Sequence, residues 1–141
     1  MNESGRVMGL DVGSVRVGVA LSDPLRITAQ PHSKLPAQPW DQLIESLLQL
    51  VEQEEVAQVV VGLPKRLDGS QGDSADQAKA LGKELRAVLS IPVRFWDERY
   101  STHAAERSLL EGNMRRNKRK QVIDQTAAAW MLQGYLDSRS S

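Results

Sequence analysis

Apolar positions divide the chain into short continuous runs and longer helical stripes. Val7-Met8-Gly9-Leu10 and Val17 to Leu21 are β-rich runs joined by the Gly-bearing stretch Gly13-Ser14-Val15. That spacing predicts an antiparallel hairpin. The first run is apolar at consecutive positions, which predicts a central strand covered on both faces. Ile27-Thr28-Ala29 predicts a short third strand, and the surrounding Pro24, Pro31, Pro36 and Pro39 place it at a sheet edge. Leu43, Ile44, Leu47, Leu48, Leu50 and Val51 trace a helical stripe, so a helix is expected over 41–53 with Asp41 as its cap. Val56 to Leu63 is β-branched and apolar, a second buried strand that Pro64 ends. Ser74 and Gln77 have capping-box spacing and open a helix to about Leu89, with Ala78, Leu81, Leu85 and Val88 on one face. Pro92 to Trp96 is the last strand. Ser101 or Thr102 caps a further helix to about Glu111, and a final helix runs from about Gln121 to Leu136 before a frayed tail.

The resulting order, β-β-β-α-β-α-β-α-α, predicts an α/β fold: a five-stranded mixed sheet with helices on both faces. No internal repeat or linker divides the chain, so a single domain over 1–141 is expected.

Composition narrows the function classes. Hydrophobic residues make up 40% and charged residues 26%, ordinary for a soluble globular protein. No apolar run approaches the roughly 20 residues of a membrane span, so no membrane partner is expected. The absence of cysteine excludes disulfides and thiolate metal sites and fits a cytoplasmic location. His32 and His103 are too far apart in sequence to suggest a zinc cluster. Lys+Arg and Asp+Glu each number 18, so net charge gives no argument for a polyanionic partner; the distribution of charge must supply one.

Three acidic features fall at element ends. Asp11 ends the first strand, Asp97 and Glu98 end the last, and Asp124 lies in the first turns of the expected final helix. A carboxylate at the end of a buried strand needs compensation by an ion pair with a residue such as Arg16, by a turn cap, by a phosphate-binding device or by a cation. Ala127 and Ala128, at i+3 and i+4 from Asp124, would let a helix press close to the sheet. Converging carboxylates repel unless a hard cation such as Mg²⁺ or Mn²⁺ joins them, and two such ions about 4 Å apart hydrolyse phosphodiesters. Just before Asp124, Arg115, Arg116, Lys118, Arg119 and Lys120 place five cations in six residues, suited to a nucleic-acid backbone. Of the aromatics, Phe95 reads as core and Tyr100 as the better candidate for stacking on a base.

These motifs resemble the YqgF family, also called RuvX, of RuvC-like Holliday junction resolvases and pre-16S rRNA nucleases. The resemblance rests on Asp11-x-Gly13-x-x-Arg16-x-Gly18-x-Ala20, on Val60-Val61-Gly62-Leu63-Pro64 with Asp68-Gly69, on Asp97-Glu98-Arg99-Tyr100-Ser101-Thr102 and on Asp124-x-x-Ala127-Ala128. It implies a ribonuclease H-like fold, a cytoplasmic location and a role in maturing the 5′ end of 16S ribosomal RNA, with junction DNA as the alternative substrate. It further implies Asp11, Glu98 and Asp124 as the acids binding Mg²⁺ or Mn²⁺, with Arg16 and Arg99 beside them on the acids or on phosphate. The better-known RuvC-like pattern has an acid at the end of the fourth strand, where this chain has Gly62-Leu63-Pro64. If the fifth strand supplies the acid, about 9.6 Å separates it from the first strand, a reach that favours Glu98 over Asp97. A monomer and a homodimer are both compatible with the sequence. Two other readings are a non-catalytic ribosome-associated factor and an actin-like ATPase, the latter disfavoured because 141 residues do not hold its two domains.

Overall fold

The computed structural model describes residues 5–63, 73–97 and 126–140. Their elements are β1 (Arg6–Val12), β2 (Arg16–Ser22), β3 (Ala29–Pro36), α1 (Trp40–Gln53), β4 (Val56–Leu63), α2 (Asp73–Val88), β5 (Val93–Asp97) and α3 (Ala127–Ser140). The helix expected near 101–111 lies outside the described residues.

The five strands form one mixed sheet in the order β3-β2-β1-β4-β5. β1 pairs antiparallel with β2 and parallel with β4. β2–β3 is antiparallel and β4–β5 parallel. The central position of β1 explains its continuous apolar run: Val7, Met8 and Leu10 are all fully buried, on alternating faces.

Each face carries its own core. Met8, Leu10 and Val12 of β1 meet Val59 and Val61 of β4, with Leu43, Ile44 and Leu47 of α1 and Leu81 and Leu85 of α2 above them. On the other face, Val7, Ala20 and Val60 meet Ala128, Ala129, Met131, Leu132, Tyr135 and Leu136 of α3. Helices therefore cover both faces.

Three expected boundaries move. The third strand begins at Ala29 rather than Ile27 and runs eight residues. Residues before it are held in a turn: the Asp23 carboxylate accepts from the amides of Thr28 at 2.8 Å, Ile27 at 2.7 Å and Leu25 at 3.2 Å. The Thr28 amide, then those of Ile27 and Leu25, hold that carboxyl below the usual range. β3 tolerates Pro31 and Pro36 because it is an edge strand, and the register shifts where Pro31 pairs with Ala20. At α1 the N-cap is Pro39, without a side-chain cap bond; Asp41 lies within the first turn instead, where a carboxylate favours the helix dipole. The final helix begins at Ala127 and continues to Ser140, rather than spanning Gln121 to Leu136. Thr126 is not helical, and its Oγ1 accepts from the Ala129 amide at 3.2 Å, an N-cap that starts the helix there.

α3 sits close to the sheet because β1 and β2 present glycine beneath it. A Cβ on Gly9 would lie 2.9 Å from the Leu132 Cβ. One on Gly18 would lie 3.4 Å from the Ala128 Cβ. At the other end of α3, Gln58 Nε2 donates to the Tyr135 hydroxyl at 2.7 Å, which satisfies two polar groups inside the core. Gln133 ties the helix to the edge, accepting from the Ala29 amide at 2.8 Å and donating to the Ile27 carbonyl at 2.9 Å. Gly9→Ala forces α3 away from β1 and is expected to destabilise the fold by about 1–3 kcal/mol, as for other overpacked cores. A urea melt of wild type and variant measures this, and an unchanged midpoint would refute the packing argument.

Candidate active site at the carboxyl end of β1

The β1–β2 turn fixes where Asp11 stands. The Gly13 amide donates to the Arg16 carbonyl at 2.9 Å and closes the loop. A Cβ on Gly13 would lie 2.8 Å from that carbonyl oxygen, so the close approach requires glycine. Asp11 pairs with Gly18 across the hairpin.

Asp11 belongs to the α3 face. A Cβ on Gly18 would lie 3.7 Å from the Asp11 Cβ and 3.4 Å from the Ala128 Cβ, so the three positions converge beside the first turn of α3. Asp11 is half-buried there. Arg16, exposed at the start of β2, is two residues from Gly18 and shares its face by strand alternation. Diagonal neighbours of this kind are about 7–8 Å apart. Among the described residues Asp11 and Arg16 are not joined as an ion pair, so that form of compensation for Asp11 is not the one adopted. Of the two alanines expected to let the final helix press on the sheet, Ala128 is buried and Ala127 is exposed; Ala129 is buried beside Ala128. Asp124, from which the spacing of Ala127 and Ala128 is counted, lies outside the described residues.

The alternation of β5 answers the question of face at the second acid. Phe95 packs with the α1/α2 core, and the Arg86 guanidinium of α2 lies 4.9 Å from its ring centroid. Trp96 turns the other way and meets Tyr135 of α3 edge-on, with ring centroids 5.5 Å apart at 82°. Asp97 has the parity of Phe95 and pairs with Leu63, which packs on the α1/α2 core. It therefore stands on the face opposite Asp11. Between β1 and β5, the α3 face of β4 ends in Gly62, which pairs with Trp96 and bears no side chain.

Among the described residues no group of three acidic or histidine side chains is placed to hold a metal ion. Glu98, Asp124, Arg99, Arg115, Arg116, Lys118, Arg119 and Lys120 lie outside the described residues, as do Asp68 and Tyr100. Of the expected site residues, Asp11 and Arg16 are placed, and on one face. Sequence reading did not single out Thr126 as the helix cap; its signal is a threonine three residues ahead of Ala129, the spacing of an N-cap to N3 bond.

Residues 5–138 match the family described as "RuvX: Holliday junction resolvase". A protein of Moorella thermoacetica named "Putative pre-16S rRNA nuclease" is 47% identical over 132 residues, covering 94% of each chain. One of the same name from Paracoccus denitrificans is 43% identical over 134 residues, covering 95% of this chain and 85% of that one. Among solved structures, Thermus thermophilus RuvC in complex with a Holliday junction substrate superposes with a TM-score of 0.63 at 12% identity, covering 96% of both chains. The fowlpox virus Holliday junction resolvase gives 0.52 at 12% identity, covering 94% of this chain and 99% of that one. At such identities these two establish the fold: ribonuclease H-like, as the sheet order indicates.

Thr126→Ala removes the cap beside Asp11 and is expected to lower stability by about 1 kcal/mol. Denaturant unfolding measures the loss, and Thr126→Asn, another capping residue, should restore most of it.

Proposed function

Because the chain belongs to the RuvX family of Holliday junction resolvases, we propose that it is a divalent-metal-dependent nuclease acting on precursor 16S ribosomal RNA at its 5′ end. The observation that carries the reading is Asp11: a half-buried carboxylate at the end of the central strand, not paired with Arg16, beside the start of α3. The names of the relatives favour precursor ribosomal RNA as substrate.

The donor chemistry fits a hard cation, since Asp11 offers oxygen ligands and the chain has no cysteine. Asp11, Glu98 and Asp124 would hold Mg²⁺ or Mn²⁺. When bound, the cation supplies Lewis acidity, polarising the phosphoryl group and acidifying the attacking water. The chain's own residues orient and neutralise. Arg16, exposed on the Asp11 face, would meet a phosphate, and Arg99 would join it. The basic run Arg115, Arg116, Lys118, Arg119 and Lys120 would grip the backbone as a salt-sensitive contact. In hydrolysis the water oxygen bonds to phosphorus, one phosphorus–oxygen ester bond breaks, and the leaving oxygen takes a proton. Among the described residues no helix is long and apolar enough to cross a membrane; action on ribosomal RNA would place the protein in the cytoplasm.

Strand parity supports Glu98 over Asp97 as the acid from β5. Asp97 stands on the face away from Asp11, and a strand continued by one more residue would return to the Asp11 face.

The test uses a labelled precursor RNA extending past the mature 16S 5′ end, with a four-way DNA junction in parallel, in Mn²⁺ and in EDTA. Cleavage is expected with metal and not with EDTA. Asp11→Asn and Glu98→Gln are each expected to lower the rate by roughly 10²-fold or more while retaining binding, the scale of several kcal/mol of lost metal assistance. Asp97→Asn should stay within a few-fold of wild type. Equal binding without cleavage by wild type and Asp11→Asn would make the protein a non-catalytic RNA-binding factor, and preference for the junction would make it a DNA resolvase.

A further inference from the structure

At the opposite end of the sheet, the starts of β1, β4 and β5 and the last turns of α3 enclose an open cleft of about 990 Å³. Three arginines from three separate elements line it: Arg26 from the turn before β3, Arg94 from β5 and Arg139 from α3. Glu55 is the one acidic residue among its lining. The walls include Val7, Tyr135 and Leu136, all buried. Cations in a concave, low-dielectric setting focus a positive potential.

Each arginine keeps its fork available among the described residues. Arg26 Nε donates to the Gly5 carbonyl at 3.0 Å, which anchors the side chain and leaves its other N–H groups. Its backbone is left-handed, with φ of 62°, where the Asp23 turn fixes it. The Arg139 guanidinium lies 5.9 Å from the Tyr135 ring centroid. Arg94 is exposed and has the parity of Trp96, so it projects from the α3 face of β5. None of the three is ion-paired among the described residues. Planar guanidinium groups of this kind match the oxygens of a phosphodiester.

We infer that this cleft is a second binding site for nucleic-acid backbone, taking the strand that flanks the scissile phosphate. The inference rests on the nuclease reading and extends it to the opposite end of the sheet. Four residue steps along β1 run from Val7 at the cleft to Asp11, about 13 Å at 3.3 Å per residue. That corresponds to about four phosphates along one strand of a helix. Along β5 the α3 face carries Arg94 and then Trp96, so a strand leaving the Asp11 end passes a half-buried aromatic before it reaches the arginines.

Arg94→Gln/Arg139→Gln tests this while leaving the Arg26 anchor intact. Affinity is measured against salt for RNA and for DNA, with strands that end within one nucleotide of the cut or extend ten or more beyond it, separately on each side. On one of the two long arms the variant should bind roughly tenfold more weakly than wild type, with the salt slope reduced by about 2. On strands too short to reach the cleft it should bind and cleave as wild type does. Arg94→Lys/Arg139→Lys, which keeps the charges, should restore the salt slope; should the Gln variant fail to melt cooperatively, the Lys variant is compared with wild type for loss of affinity alone on the long arm. Equal affinity and slope for wild type and variant on both long arms overturns the inference while wild-type cleavage leaves the nuclease reading standing. A reduced slope without cleavage by wild type sinks the nuclease reading and keeps the cleft. If wild type binds neither RNA nor DNA, both fall.

Discussion

The contact between α3 and the β1–β2 hairpin constrains the rest of the α3 face. Gly9 and Gly18 remove side chains where Leu132 and Ala128 descend, so the helix rests nearly on the backbone of the central strand. Close-packed interiors transmit displacement rather than absorb it. The height of α3 above β1 therefore sets several things together: the start of the helix beside Asp11, the Gln58–Tyr135 bond and the seat of Gln133 on the edge strand. A bulkier residue at either glycine would disturb all three at once, although only one of them is near the acid.

Much of this architecture is legible in the sequence because burial on two faces leaves a direct signature. The continuous apolar runs of β1 and β4 announce central strands, and the stripes of α1 and α2 announce helices over one face. α3 is harder to read: Ala128, Met131, Leu132 and Tyr135 are buried by a small-residue contact, and no clean stripe marks its start. Its beginning was misplaced because an alanine-rich stretch propagates helix in both directions, whereas one threonine hydroxyl fixes the boundary. The β3 boundary failed for a similar reason. Ile27 has strand propensity, yet three amides around the Asp23 carboxylate hold the segment as a turn and leave Ile27 61% exposed.

At the candidate site, residue types were legible and faces were not. Period-two alternation predicts that Asp97 and its neighbour oppose each other, but only the packing of Phe95 against α2 and Trp96 against α3 says which parity belongs to Asp11. The basic cleft escaped sequence reading altogether. Arg26, Arg94 and Arg139 are distant in the chain and share no motif; they line one cleft because the turn before β3, the start of β5 and the last turn of α3 all come to the end of the sheet where β1, β4 and β5 begin.

The sheet order also gives a reason for the glycine at the end of β4. β1 and β5 are separated by β4, two inter-strand spacings or about 9.6 Å. For an acid from β5 to share a cation with Asp11, the gap between them must be open to both side chains. Gly62 ends the α3 face of β4 between them and carries nothing to fill it. An acid on β4 would shorten the distance to β1 by half, and this chain lacks one there. The gap in place of a ligand makes the reach of any β5 acid decisive, and Asp97 is both a short carboxylate and on the face away from Asp11. Side-chain length and strand parity, two independent constraints, thus both weigh against Asp97.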